Sequence, residues 1–119
     1  MTNKYNLQPW CCETDSQRLR RFGKTLEELG ELQAVVARCI IQGLEEIDPT
    51  SQKTNRLRLE EEVADVYTQL FLLEERFNLD TEFIAERMML KTDQMYEWDR
   101  LVEEDCVHSS DNLWTSSTD

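Results

Sequence analysis

Hydrophobic residues recur at steps of three and four positions through most of the chain, and this spacing predicts three long helices. The first helix is expected to begin at Ser16 or Gln17 and to end at Gln42, because Gly43 follows as a stop signal. A stripe with this period is the face that a helix buries against a neighbour. The apolar positions of the first helix are Leu26, Leu29, Leu32, Val35, Val36, Cys39 and Ile40.

The same period predicts two further helices. The second begins near Asn55 and ends around Asn78, and the third follows a cap at Asp80 or Thr81 and runs to about Glu103. The apolar positions of the second helix are Leu57, Leu59, Val63, Val66, Leu70 and Leu73, with Tyr67 and Phe71 beside them. Those of the third are Phe83, Ile84, Met88, Leu90, Met95 and Trp98.

Three segments lack this period. Residues 44 to 55 are rich in turn formers and predict a loop. Residues 1 to 15 predict an arm or a short helix anchored by Trp10, and residues 104 to 119 predict a polar tail that frays, in which Leu113 and Trp114 could dock on a partner. With three glycines and two prolines, the chain has little turn chemistry for strands. We therefore expect an all-α antiparallel helical bundle over residues 16 to 103.

Composition limits the partners. A chain of 119 residues corresponds to one domain. Its 25 acidic and 13 basic residues give a formal net charge of −12, which repels phosphate backbones and acidic lipid. We therefore expect neither nucleic acid nor a membrane as partner. No apolar run has signal-peptide or bilayer length, which predicts a cytoplasmic location. The spacing of the four cysteines matches no zinc ribbon or redox pair.

Two pairs of acidic residues are the main candidate chemistry. Glu28 and Glu31 lie in KTLEELGELQAVVA, residues 24 to 37, and Glu62 and Asp65 lie in LRLEEEVADVYTQL, residues 57 to 70. Residues three apart share one helix face, with Cβ atoms about 5–6 Å apart. Asp65 follows an alanine and precedes a valine in the most apolar part of its helix, where an aspartate requires a reason.

If the first two helices form an antiparallel hairpin, both pairs can converge on one point. Four carboxylates without a histidine favour Mg²⁺, with Mn²⁺ as a substitute. A di-iron bundle uses Glu-x-x-His, but the chain's one histidine, His108, lies in the tail. The alternative is that each pair belongs to a solvated face, as in a contact of Lys24 with Glu28. Glu27 precedes Glu28 and Glu61 precedes Glu62, so the sequence does not decide which member of each doublet faces the neighbouring helix.

The motifs E-L-G-E at 28 to 31 and E-V-A-D at 62 to 65 carry a resemblance. Residues 17 to 103 resemble the all-α nucleoside triphosphate pyrophosphohydrolases of the MazG-like group, which have an E-x-x-E and E-x-x-D signature. The resemblance implies a bundle completed by oligomerisation, as a homodimer or homotetramer, that converts a nucleoside triphosphate to the monophosphate and pyrophosphate. It also implies metal and catalytic roles for certain acids. The implied Mg²⁺ ligands are Glu28, Glu31, Glu62 and Asp65, and Glu27 or Glu61 would orient the attacking water.

Substrate contacts are less defined by the sequence. Lys53, Arg56 and Arg58 stand at the end of the predicted loop, and Arg87 and Lys91 share a face of the third helix. Each of these could bind phosphate or form a surface ion pair, and Trp10 is a candidate for stacking on the base. The expected role is control or cleaning of the nucleotide pool, with a purine deoxynucleotide among the candidate substrates. Phosphoribosyl-ATP pyrophosphohydrolase and a non-catalytic helical binding or regulatory protein remain the alternatives.

Overall fold

The computed structural model describes the backbone of residues 2–115 and the side chains of residues 2–107. Three helices make up the regular structure of this part of the chain: α1 (Ser16–Gln42), α2 (Asn55–Phe77) and α3 (Thr81–Thr115). The described residues contain no strand beyond an isolated bridge between Ile47 and Thr54, so the all-α prediction is confirmed. No helix in the described range combines the length and the apolar character needed to cross a membrane.

The first two helices begin and end where the local signals predict. Asp15 caps α1 by accepting a hydrogen bond from the Arg18 N–H at 2.9 Å, and Thr54 caps α2 by accepting one from the Leu57 N–H at 3.1 Å. Gly43 ends α1 with a φ of 90°, a value that favours glycine. The left-handed Asn78 ends α2 with a φ of 48°.

The third helix and the N-terminal arm differ from expectation. Asp80 caps α3 by accepting from the Phe83 N–H at 3.0 Å, but α3 continues to Thr115 instead of ending near Glu103. No glycine or proline interrupts residues 104 to 115, so the polar composition alone does not break the helix. The side chains of Leu113 and Trp114 lie outside those described. Residues 2–15 contain no helix, and the Trp10 side chain is 85% exposed and anchors nothing.

Helices α1 and α2 pack as an antiparallel hairpin within the compact unit Met1–Leu79, while Asp80–Asp119 forms a second unit. At the open end of the hairpin, the rings of Phe22 and Phe77 stack with centroids 4.8 Å apart. Val35 and Val66 are the buried hydrophobic residues among the described side chains. The hairpin therefore has only a thin core along its seam.

Asn55 fixes the closed end of the hairpin. Its side chain is fully buried, and its Nδ2 donates to Gln42 Oε1 at 3.1 Å and to the Gly43 carbonyl at 2.9 Å. Its backbone N–H donates to the Glu46 carbonyl at 2.9 Å. One asparagine thus ties the end of α1 and the connecting loop to the start of α2.

Asn55→Ala is expected to lower the free energy of unfolding by about 2–3 kcal/mol, because a fully buried side chain is removed and two part-buried hydrogen bonds are lost with it. Urea denaturation followed by far-UV circular dichroism measures the change. Asn3→Ala is the matched control: it removes the same side chain from the exposed arm and should cost less than about 0.5 kcal/mol. Equal losses in the two variants would contradict this role for Asn55.

A large apolar surface remains exposed on the hairpin. We call the set Leu26, Leu29, Val36 and Ile40 of α1 the apolar face. These residues follow one another at steps of three, seven and four, which places them on one side of α1, away from Glu31. Leu26 is 72% exposed and Ile40 81% exposed. All four of these residues were predicted for a buried stripe, and all four are exposed.

Helix α3 also exposes apolar side chains. From Thr81 to Val107, Ile84 alone is half-buried and all other residues are exposed, including Met88, Met95 and Trp98 of the predicted apolar stripe. Ala85, Met88, Met89 and Tyr96 line a shallow apolar groove of about 480 Å³ along this helix. An amphipathic helix of this length normally packs its apolar stripe against a neighbour.

Candidate functional site

The antiparallel hairpin brings acidic side chains of α1 and α2 together. Glu28, Glu62 and Asp65 each place a carboxylate oxygen so that the three oxygens lie within 4.8 Å of one another. Glu28 and Glu62 are half-buried in the seam, whereas Asp65 stands at its exposed rim. Two residues from one turn of α2 therefore face one residue from α1, which is the convergence that the spacing predicts.

Glu31 belongs to the same electrostatic site, although its oxygens do not meet the distance that the other three satisfy. Burial raises the pKa of the Glu28 carboxyl above 4.5, and the charge of Glu31 and a hydrogen bond with it raise this pKa further. Burial likewise raises the pKa of Glu62, with the charges of Glu31 and Asp65 adding to it. We call these four residues the acid cluster.

Two oxygens of the acid cluster lack a hydrogen-bond partner. Glu28 Oε2 and Glu62 Oε2 are both buried and neither accepts a hydrogen bond. Lys24 is the cation beside them, but its Nζ lies 3.9 Å from Glu28 Oε1 and donates at 3.0 Å to Glu27. A buried carboxylate oxygen without a donor is costly. The acid cluster therefore offers the negative charge and the unpaired oxygen atoms that a cation with oxygen ligands requires.

The raised pKa values predict how stability depends on pH. Without metal, in the presence of EDTA, the native state should lose stability as pH rises from about 4.5 through the raised pKa values of Glu28 and Glu62. In this pH window the native state binds more protons than the unfolded chain. The carboxyls with lowered pKa values, such as Glu45, act in the opposite direction below this window. Thermal unfolding between about pH 4 and pH 8 measures the slope.

Glu62→Gln is the matched variant for this pH experiment, because it removes one of the two shifted groups without changing side-chain size. It should flatten the decline with pH. A stability that rises through this window in the unmodified chain would contradict the assigned pKa directions.

Glu27 and Glu61, the candidates for activating water, lie outside the converging set. Both are exposed. Glu27 accepts from Lys24 at 3.0 Å, and Glu61 accepts from Lys53 at 2.8 Å. The charge of Glu61 nevertheless contributes to the raised pKa of Glu62, so Glu61 stands close to the rim of the acid cluster.

The loop cations predicted to bind phosphate are engaged in ion pairs. Lys53 bonds Glu61, Arg56 bonds Glu45, and Arg58 lies 3.8 Å from Asp48. Their pairing depends on how the loop folds, which the sequence alone does not reveal.

The other predicted substrate contacts are exposed side chains elsewhere in the chain. Arg87 and Lys91 are exposed on α3, which belongs to the second compact unit. Trp10 is exposed in the arm. The structure thus brings together three of the four predicted metal ligands, Glu28, Glu62 and Asp65, and the phosphate and base contacts stay predictions.

Comparison with known proteins adds no relative. No family model, no curated protein and no solved structure matches this chain. The acid cluster and the two motifs that supply it are therefore the features of this chain that bear on its function.

Proposed function

We propose that this chain hydrolyses a nucleoside triphosphate to the nucleoside monophosphate and pyrophosphate with Mg²⁺, for which Mn²⁺ can substitute. The observation that carries the proposal is the meeting of Glu28, Glu62 and Asp65 from two helices, with two buried carboxylate oxygens lacking a partner. The resemblance of the two acidic motifs to the MazG-like signature supports the same reaction.

The donor set suits a hard divalent cation. The acid cluster would hold Mg²⁺ through carboxylate oxygens, since no described histidine or cysteine side chain stands among the converging groups. Bound Mg²⁺ would neutralise triphosphate charge and polarise the phosphoryl oxygens under attack. Without such a charge, a triphosphate would be repelled by a chain of net charge −12.

The chain's own part in catalysis is to supply carboxylates as ligands and to accept a proton from water. The raised pKa values of Glu28 and Glu62 are the consequence of like charges and burial, and a bound cation lowers them again. Glu61 stands beside Glu62, and Glu27 precedes Glu28 by one residue. Either exposed carboxylate can act as general base once its lysine partner moves away.

The proposed enzyme is a homo-oligomer, either a dimer or a tetramer. The apolar face and the uncovered stripe of α3 expose more hydrophobic surface than single side chains scattered on a monomer would. A second copy of the chain presents the same surface and can cover it.

Pyrophosphate release from a panel of ribo- and deoxynucleoside triphosphates tests this function. The panel includes phosphoribosyl-ATP, and each reaction is run with Mg²⁺, with Mn²⁺ and with EDTA. We expect metal-dependent formation of the monophosphate from at least one triphosphate, with no product in EDTA. Turnover of phosphoribosyl-ATP alone would instead assign the runner-up reaction. Absence of turnover on the whole panel would overturn the proposal and favour the non-catalytic binding protein.

A further inference from the structure

A second groove lies near the open end of the α1–α2 hairpin. It has a volume of about 440 Å³, and three of its six lining residues are arginines. We call it the arginine groove. Its lining residues are Gln17, Arg20, Arg21, Leu72, Glu75 and Arg76. Three guanidinium groups against one carboxylate leave the lining with a net positive charge on a strongly acidic chain.

None of these arginines forms an ion pair with the described part of the chain. The paired cations of the hairpin unit are Arg18, Lys24, Lys53, Arg56 and Arg58. Among the described side chains, no carboxylate oxygen lies within 4.0 Å of Arg20, Arg21 or Arg76. Acidic residues outnumber basic ones 25 to 13, so counter-ions are not scarce. Three uncompensated guanidinium groups around one groove are therefore a specific arrangement.

The local contacts orient these groups without neutralising them. Arg76 donates from its NH2 group to Gln17 Oε1 at 2.7 Å, which is a neutral acceptor. The cap carboxylate of Asp15 is affected at longer range: its pKa is lowered first by the Arg18 N–H bond, and also by the charges of Arg18 and Arg76. The remaining guanidinium N–H groups stay available to a ligand.

Helical spacing puts the arginine groove on the same side of the hairpin as the acid cluster. Along α1, Arg20 precedes Glu31 by eleven residues, and along α2, Arg76 follows Asp65 by eleven. Eleven residues make about three helical turns, so each pair shares a face. The two sites are separate, because eleven residues span about 16 Å along a helix.

We propose that the arginine groove is a phosphate-binding subsite. Guanidinium groups bind phosphate oxygens through paired, charge-assisted hydrogen bonds, and three of them facing one groove fit a phosphate or pyrophosphate anion. This binding needs no metal, so it does not depend on the proposed hydrolysis. If the phosphate belongs to the substrate, the groove holds a part of the substrate that lies away from the acid cluster. Only this assignment to the substrate rests on the proposed function.

Calorimetric titration of the full chain with pyrophosphate in EDTA tests the subsite. Arg20→Gln and Arg76→Gln should each weaken binding by about tenfold, because each removes a charge-assisted contact. Arg38→Gln is the matched control: it removes the same charge from an exposed position of α1 that likewise forms no ion pair with a described side chain. The Arg38 variant should stay within about twofold of the unmodified chain.

Two results would overturn the subsite: no measurable pyrophosphate binding, or equal weakening by Arg38→Gln. The EDTA titration is unaffected by whether the chain hydrolyses any nucleotide, so failure of the proposed function and failure of the groove are distinguishable. Where turnover is found, kinetics identify the source of the phosphate. A raised KM with unchanged kcat in Arg20→Gln assigns it to the substrate, whereas an unchanged KM beside weakened pyrophosphate binding assigns it to a separate phosphate ligand.

Discussion

Asp65→Asn is expected to lower kcat/KM for metal-dependent pyrophosphate release by roughly a hundredfold or more, while the helical content stays the same. Asparagine keeps the size of the side chain and one of its oxygens, but it removes a charge from the place where three carboxylate oxygens lie within 4.8 Å. Asp65 is exposed, so its replacement removes no packing. The steady-state rate at saturating and limiting Mg²⁺ gives both the activity and the metal requirement.

The same substitution is expected to stabilise the chain when no metal is present. The charge of Asp65 raises the pKa of Glu28 and of Glu62, so removing it relieves repulsion among the remaining carboxylates. Conversely, Mg²⁺ should stabilise the unmodified chain more than the variant, because a ligand stabilises only the state that binds it. Thermal unfolding with Mg²⁺ and with EDTA measures both changes.

Glu60→Gln is the matched control for Asp65→Asn. Glu60 is an exposed acid on the same helix, it stands outside the acid cluster, and its replacement changes the net charge equally. It should retain activity within a few-fold of the unmodified chain. Its thermal stability in EDTA should not rise, and Mg²⁺ should stabilise it as much as it stabilises the unmodified chain. A fully active Asp65→Asn enzyme, or an equal loss in the control, would exclude a special role for the cluster.

The hairpin was predictable because its signals are local. Asp15 and Thr54 cap helices by bonds to residues three positions on, and Gly43 and Asn78 end them through their own backbone conformation. The end of α3 was not predictable in this way, because residues 104 to 115 hold no stop signal and their polar composition only resembles that of a frayed tail.

The acid cluster was predictable for a related reason. A spacing of three residues fixes a shared helix face, and an antiparallel hairpin then needs no further information to bring two such faces together. Only the fold shows which of Glu27 and Glu28 faces inward: Glu28 lies in the seam, and Glu27 pairs with Lys24.

The arginine groove depends on residues more than fifty positions apart in the chain. Its one local signal is the run R-L-R-R at 18 to 21, which is unusual in so acidic a sequence. The partner, Arg76, joins this run only because the open end of the hairpin brings Gln17 to it. Ion pairing of Lys53 and Arg56 is equally non-local, since it follows from the path of the loop between the helices.

Ile40→Glu is expected to dissociate the proposed oligomer and to lower its thermal stability. Ile40 is 81% exposed on the apolar face, and a second copy covering it would gain about 1.5–3 kcal/mol from this side chain alone. A buried glutamate in its place would lose that gain and add the cost of an unpaired charge. Multi-angle light scattering should give a multiple of 14.1 kDa for the unmodified chain and 14.1 kDa for the variant.

Ala34→Glu is the matched control for Ile40→Glu, because it places a glutamate on the exposed outer side of α1 without entering the apolar face. It should keep both the oligomeric mass and the unfolding temperature. A monomeric mass for the unmodified chain would refute the oligomer.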